Sequence, residues 1–279
     1  MPAQIIDGKK MAAEICEELA KKIKKLSKAP HLAVVLVGND EASLIYVRNK
    51  KRAAETIGMN CTVHHLSENV TQTELLELLD RLNNDKDING IIVQMPLPEH
   101  IDANVVLEKI APEKDVDGFC PYNMGLLHSN SPKAIAPATP KAVLYMLNRT
   151  LGEIKGKNAL IIGRSKIVGR PLASLLLNND CTVAIGHRHS VDLQKFSKQA
   201  DILVSACGVP QMVDDKWVKE GATVIDVGIT RVNGKICGDV DFEKVVDKVE
   251  YITPVPGGVG PMTVAMLMEN TFQAFERQF

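Results

Sequence analysis

The chain has 279 residues, 45% of them hydrophobic and 24% charged, with a formal net charge of −1 at pH 7. This balance fits one or two globular domains and argues against nucleic acid or an anionic membrane surface as the main partner. Cys16, Cys61, Cys120, Cys181, Cys207 and Cys237 are scattered and form no C-x-x-C pair, which favours reduced thiols and a cytoplasmic location over disulfides or structural zinc. Asp7, Lys9, Lys10, Glu14, Glu17 and Glu18 leave no room for a signal-peptide core near the start. No run approaches the roughly 18 apolar residues of a membrane span.

In chain order, a helical pattern over residues 9–26 leads to an apolar, β-branched run at 32–37. A second helix is predicted over 43–57, a third over 73–82, and a strand over 88–93. After a helix over 140–149 the rhythm repeats, with strands at 159–162, 182–185, 202–204 and 223–227. A helix over 171–177 falls among them, and a last helix begins after Pro261. Strands separated by amphipathic helices predict an α/β fold with parallel sheets covered on both faces. Asn233-Gly234 is the exception, a two-residue hairpin signal. The Ser/Pro/Ala-rich stretch 129–140 marks the expected boundary. Residues 1–139 should form one αβ domain and 140–261 a Rossmann-like domain, with a cleft between them. The helix over 262–279 is expected to pack back on the first.

The segment from Ile161 to Pro171, with Gly163-Arg164-Ser165 and Val168-Gly169 inside it, reads as a buried strand, a glycine turn and a helix. Such a turn holds a dinucleotide pyrophosphate, because helix N-terminal amides point outward and glycine lets the phosphates approach. Ser165 replaces the middle glycine of G-x-G-x-x-G and the last glycine falls one residue late, so an ordinary strand–helix turn remains open. After the next strand, where a ribose-binding acid is expected in NAD sites, the chain reads Gly186-His187-Arg188-His189-Ser190. Arg164 and Arg188 would attract a 2′-phosphate. NADP is therefore expected over NAD, with a solvated basic loop as the alternative.

Winding residues 43–57 as a helix places Tyr46, Val47, Ala53, Ala54 and Ile57 on one face. Lys50 falls within that face, one turn from Tyr46. It must snorkel to the rim or enter a cavity, where burial disfavours an ammonium and makes a usable base. Gln94 follows a buried run and precedes Met95-Pro96-Leu97-Pro98. Beyond the carboxyl end of a parallel strand it can hold a substrate or side chain, or simply cap the loop. Asp115 and Asp117 precede Gly118. They read either as an Asx-turn or as a carboxylate gripping an amino-heterocycle. The loop from Thr253 to Thr263 lacks the Lys-Ser/Thr of a P-loop, but its glycines and prolines make a stiff wall that a flat ligand can approach. The histidines have no metal-ligand spacing, so no metal is expected.

Together these segments resemble the bifunctional methylenetetrahydrofolate dehydrogenase/methenyltetrahydrofolate cyclohydrolase (FolD) family. The likeness is carried by Tyr46-x-x-x-Lys50, Val93-Gln94-Met95-Pro96-Leu97-Pro98, Pro112-Glu113-Lys114-Asp115-Val116-Asp117-Gly118, Gly163-Arg164-Ser165-x-x-Val168-Gly169-x-Pro171 and the 253–263 loop. It spans essentially the whole chain. The resemblance implies an enzyme of one-carbon metabolism with two successive reactions at one site. 5,10-Methylenetetrahydrofolate would be oxidised with NADP+ to the methenyl form, which water would open to 10-formyltetrahydrofolate. It implies Lys50 as general acid/base, Gln94 as its hydrogen-bond partner, Tyr46 orienting the folate and Asp117 gripping the pterin. Val93, Met95, Pro256, Gly257, Gly258, Val259 and Gly260 would contact substrate, while Gly163, Arg164, Ser165, Arg188 and Ile229 would hold NADP. Residues 1–139 would be the catalytic and folate domain, and the assembly a homodimer. The family's usual Pro-Cys-Thr-Pro-x-Gly stands here as Pro137-Ala138-Thr139-Pro140-Lys141-Ala142, which touches the packing of the junction. A shikimate-dehydrogenase-like enzyme would explain the cofactor turn but not Lys50, Gln94 and Asp117 together. Retention of Lys50 and Asp117 argues against an inert folate/NADP-binding protein.

Overall fold

The computed structural model describes residues 2–232 and 234–278. Its elements begin with β1 (Gln4–Ile5), α1 (Gly8–Ile23), β2 (His31–Val37), α2 (Glu41–Thr56), β3 (Asn60–Leu66), α3 (Gln72–Asn84) and β4 (Gly90–Val93). Helices α4 (Ala103–Lys109), α5 (Pro121–His128) and α6 (Ala138–Leu151) follow. Alternation resumes with β5 (Asn158–Ile162), α7 (Gly169–Asn178), β6 (Thr182–Gly186), α8 (Leu193–Ser197), β7 (Ile202–Ser205) and β8 (Thr223–Asp226). Last come β9 (Thr230–Val232), β10 (Lys235–Cys237), α9 (Phe242–Val245), β11 (Tyr251–Ile252) and α10 (Val259–Gln278). The chain forms two compact units. One comprises Ala13–Ala138 and Val264–Phe279, the other Met1–Ala12 and Thr139–Thr263.

The first unit is built on a parallel sheet in the order β3-β2-β4. Leu32 through Val37 are all buried, which is why β2 reads as an unbroken apolar run rather than an alternation. On one face Ala33, Val35, Val37, Ile91 and Val93 meet Leu75, Leu78, Leu79 and Leu82 of α3 and Val106 of α4. The leucines recur at i, i+3, i+4 and i+7, the spacing of one helical stripe. Thr71 and Glu74 close a capping box at the start of α3. At its other end the buried Lys114 ammonium donates to the carbonyls of Leu82, Asn83 and Asp85 at 3.0, 2.8 and 2.7 Å. These are the orphan acceptors at the negative end of the helix dipole. On the opposite face Gly90 sits so tightly that a Cβ would lie 2.8 Å from Val116 Cγ1 and 3.2 Å from Thr271 Cγ2 of α10. Asn270, also on α10, donates from Nδ2 to the carbonyls of Val116 and Ala136 at 2.9 Å each.

The second unit carries a six-stranded parallel sheet in the order β1-β11-β8-β7-β5-β6. Its core joins Leu160, Ile162, Leu203 and Val224 from the strands to Val218, Val245 and Val249. Residues 1–12 were expected with the first domain, yet they cluster here. The reason is backbone pairing: Gln4 N donates to Glu250 O at 2.8 Å and Ile6 N to Ile252 O at 2.9 Å, adding β1 to the sheet beside β11. The hairpin strands β9 and β10 pair antiparallel as the turn signal predicts, although Asn233 itself lies outside the described residues.

Candidate active site

In both sheets the strand order reverses, around β2 in one and around β5 in the other. Ligands bind beyond the carboxyl ends of strands at such switch points. In the three-stranded unit Asp40 leaves β2 and caps α2 through Oδ2, which accepts from Ser43 N at 2.8 Å. The helix then buries Val47, Ala54 and Ile57. Lys50 lies on that same side, half-buried, and donates from Nζ to Gln94 Oε1 at 3.1 Å. Gln94 is buried just past β4, with its Nε2 on Met95 O at 2.6 Å and its backbone N–H on Val35 O at 2.8 Å. The amide is held at three points and presents one oxygen to the amine. It does more than cap its loop.

Asp115 pairs with Ile91 as a parallel bridge, so Asp117, two residues on, falls level with the carboxyl end of β4. The turn reading of this acidic pair holds for Asp115. Asp115 is fully committed: Oδ1 accepts from Gly118 N at 3.0 Å, and Oδ2 from Cys120 N at 2.8 Å and Asn123 Nδ2 at 3.1 Å. Asp117 accepts no hydrogen bond among the described residues. Burial pushes its carboxyl above the ordinary range, the nearby Lys50 charge pulls it back, and Asp115 adds to the rise. An N–H-bearing ligand would supply the missing donors.

Not every expected residue sits as the periodicity suggests. Tyr46 is 43% exposed. A free ring can stack on a ligand but is not core. Val93 packs its side chain into the α3 core, which leaves its backbone as the part near Gln94. Met95 is half-buried beside it.

In the six-stranded unit Gly163 follows β5 with φ +130°, and a Cβ there would stand 2.2 Å from Ala206 O. A Cβ on Gly169 would stand 2.0 Å from Gly163 O. These two glycines therefore permit a close strand–turn–helix approach that no side chain could share. Ser165 is engaged as well. Its Oγ accepts from Val168 N at 3.1 Å in the turn before α7, which leaves its own proton to donate. Arg164 and Arg188 are exposed, and both stand in a basic cluster. Desolvation first, then the charges of Arg164 and His189, hold the His187 imidazole below its usual range. Arg188 Nε donates to His189 Nε2 at 3.2 Å. This cradle and donor set fit a dinucleotide with an extra phosphate.

The 253–263 loop is held from a side that the sequence did not indicate. Lys9 N donates to Gly257 O at 3.1 Å, and Gly8 approaches so closely that a Cβ would overlap Gly258 O. Gly257 adopts φ +111° and Gly258 is buried, whereas Pro256 is exposed. Val259 is buried in the unit and offers backbone only. The Cα of Gly260 faces Ile229, whose Cδ1 lies 3.8 Å from where a Cβ would be.

At the end of β8, Asp226 accepts from Gly228 N and Asp239 N through Oδ1 at 2.9 and 3.0 Å, and from Val240 N through Oδ2 at 2.9 Å. Burial, the largest influence, lifts its carboxyl to about 6 against those hydrogen bonds. The folded chain thus binds this proton more tightly than the unfolded chain. Its stabilising contribution is present below about pH 4 and is lost as pH rises through about 6. Relative to Asp226→Asn, the wild type should therefore gain stability on acidification from roughly pH 7 to pH 4, by up to about 3 kcal/mol. Urea denaturation of both proteins at the two pH values checks this, and parallel behaviour would contradict it.

Two αβ units, one of them a doubly wound parallel sheet with a glycine turn at its switch point, define a protein with a Rossmann-type dinucleotide domain and a separate catalytic domain. Residues 137–279 match the tetrahydrofolate dehydrogenase/cyclohydrolase NAD(P)-binding domain, and residues 6–117 match the catalytic domain of the same name. The "Bifunctional protein FolD" of Halothermothrix orenii is 52% identical over 275 residues, covering 97% of each chain. The crystal structure of the bifunctional FolD enzyme from Campylobacter jejuni is 47% identical with a TM-score of 0.97, covering 99% of this chain and 100% of that one. A Trypanosoma brucei methylenetetrahydrofolate dehydrogenase-cyclohydrolase, solved with NADP cofactor and inhibitor, is 40% identical with a TM-score of 0.94, covering 99% of this chain and 98% of that one. The chain belongs to the tetrahydrofolate dehydrogenase/cyclohydrolase family. Shikimate dehydrogenase from Aquifex aeolicus, at 12% identity and a TM-score of 0.52 over 90% of this chain and 93% of that one, shares the fold alone.

Proposed function

We propose that this protein oxidises 5,10-methylenetetrahydrofolate with NADP+ and hydrolyses the resulting methenyl cation to 10-formyltetrahydrofolate. The observation that carries the reading is the Lys50–Gln94 hydrogen bond beside the unpaired Asp117 carboxylate. Asp117 accepts hydrogen bonds from the pterin amino group and ring N–H, fixing the ring. Tyr46 stacks on or orients it, and Met95 and the backbone at Val93 border it. In hydrolysis, water adds to the electrophilic methenyl carbon and its proton passes to the Lys50 amine. The same amine returns that proton to the ring nitrogen as the C–N bond breaks, while the hydroxyl proton is released to solvent and the formyl C=O forms. Gln94 Oε1 aims the amine throughout. Because the carbon is already electrophilic, a positioned acid/base suffices.

Gly163, Arg164, Ser165, Arg188 and Ile229 hold NADP, which when bound supplies the acceptor for the two electrons released in the oxidation. The 163–165 turn and the start of α7 take the pyrophosphate, and the two arginines take the 2′-phosphate. We place the protein in a reducing cytoplasm, in keeping with six free cysteines. Among the described residues no helix is long and apolar enough to cross a membrane. We further propose a homodimer, in keeping with the family and with the outer edge of β3, which lacks a strand partner among the described residues.

Methenyltetrahydrofolate supplied without any cofactor tests the hydrolytic half. Its absorbance should decay faster with the protein than in buffer, and equal decay contradicts the reading. Arg188→Ala should raise the apparent KM for NADP+ about 10-fold or more, the value of one charge-assisted phosphate contact, and that for NAD+ far less. An equal rise for both cofactors would remove the 2′-phosphate role.

A further inference from the structure

The six-stranded unit holds another carboxylate that none of these roles uses. Asp239, shortly after β10, is fully buried. Four donors converge on its Oδ2: Cys207 N at 2.8 Å, Ser205 Oγ at 3.1 Å, Gly208 N at 3.2 Å and Cys207 Sγ at 3.3 Å. All belong to residues 205–208, the turn that leaves β7. Its Oδ1 has no hydrogen-bond partner among the described residues and lies against Gly228, where a Cβ would stand 2.3 Å away. One side chain thus touches the turns after both β7 and β8. The first of these turns abuts Gly163 through Ala206 O, and the second continues into Ile229.

A buried carboxylate oxygen without a donor is destabilising, so it persists only where something else requires the carboxylate. Successive backbone N–H groups in such a turn form a nest for an anion. Here the chain supplies the anion itself. We propose that Asp239 is a positioning residue for the cofactor site: its carboxylate fills the amide nest of residues 205–208 and braces that turn against Gly228 and Ile229. The amides of Cys207 and Gly208 are then withdrawn from ligand binding, and the pyrophosphate falls to the 163–165 turn. This rests on the reading of the unit as an NADP site. Asparagine is a poor substitute. Its NH2 either faces two amide N–H groups, donor against donor, or leaves them a neutral acceptor in place of a charged one.

The test is steady-state kinetics of Asp239→Asn, with Ser205→Ala as a milder variant that removes one donor. Asp239→Asn should raise KM for NADP+ about 10-fold or more, with kcat at saturating NADP+ within about threefold, and Ser205→Ala should move KM the same way by less. An unchanged KM overturns the proposal. If Asp239→Asn does not fold, amide hydrogen exchange on the wild type decides. The Cys207 and Gly208 amides should be protected without cofactor and little further protected by NADP+. Fast exchange that slows only when NADP+ is added would overturn it. A wild type without NADP+-linked oxidation would instead sink the functional reading itself.

Discussion

Replacing Lys50 by Met should lower the rate of methenyltetrahydrofolate hydrolysis by about 100- to 10,000-fold, the usual worth of a positioned general acid/base. Methionine keeps most of the apolar stem, so the packing of α2 against β2 survives while the amine is lost. Two neighbours report the change. Gln94 Oε1 loses its 3.1 Å donor, and the Asp117 carboxyl, no longer pulled down by the Lys50 charge, should titrate higher still. Folate binding to the variant should therefore weaken with acidification at a higher pH than in the wild type. Stopped assays across pH measure both effects. Wild-type hydrolysis by Lys50→Met would remove the amine from the mechanism.

Gly163→Ala should be the most damaging single change in the cofactor unit. The added methyl would stand 2.2 Å from Ala206 O, a backbone atom with no rotamer to yield, and the residue would have to hold φ +130°. Overpacking and backbone strain together should destabilise the unit by about 3–5 kcal/mol and abolish measurable NADP+ affinity. Gly152→Ala is the matched control. It too has positive φ, +73°, but nothing lies within 4 Å of its Cβ, so strain alone should cost about 1 kcal/mol. Denaturation curves for the two variants separate the terms. Equal effects would mean that the contact with the β7 turn is unimportant.

Six strands were legible in the sequence: β2, β4, β5, β7 and β8 are almost wholly buried, whereas β6 is legible from its Thr182-Val183 and Ile185 although its middle is exposed. β2, β5, β7 and β8 show continuous Val/Ile/Leu runs because helices or chain cover both faces. β3 was not legible. As an edge strand it carries Asn60, Thr62 and His65 on exposed positions and His64 on a half-buried one, so no continuous apolar run marks it. β1 is two residues long and exists only through pairing with β11, nearly the whole chain away. Helices α4 and α5, with seven and eight residues, are too short for a periodic stripe to emerge. At the site, Lys50 and Gln94 stood out because a polar group interrupts an apolar pattern. The division of labour between Asp115 and Asp117 did not, since it depends on which carboxylate the following backbone claims. Asp226 and Asp239 each stand beside a glycine-bearing turn at a strand end, a signal that was present and went unread.

The most direct measurement follows both absorbance bands, reduced nicotinamide and methenyl-folate, after mixing wild-type protein with 5,10-methylenetetrahydrofolate and NADP+. Reduced nicotinamide should accumulate with 10-formyltetrahydrofolate in equal amounts, with NADP+ used in preference to NAD+. No reduction of either nucleotide, or reduction that leaves the methenyl product to decay only at its rate in buffer, would contradict the assignment.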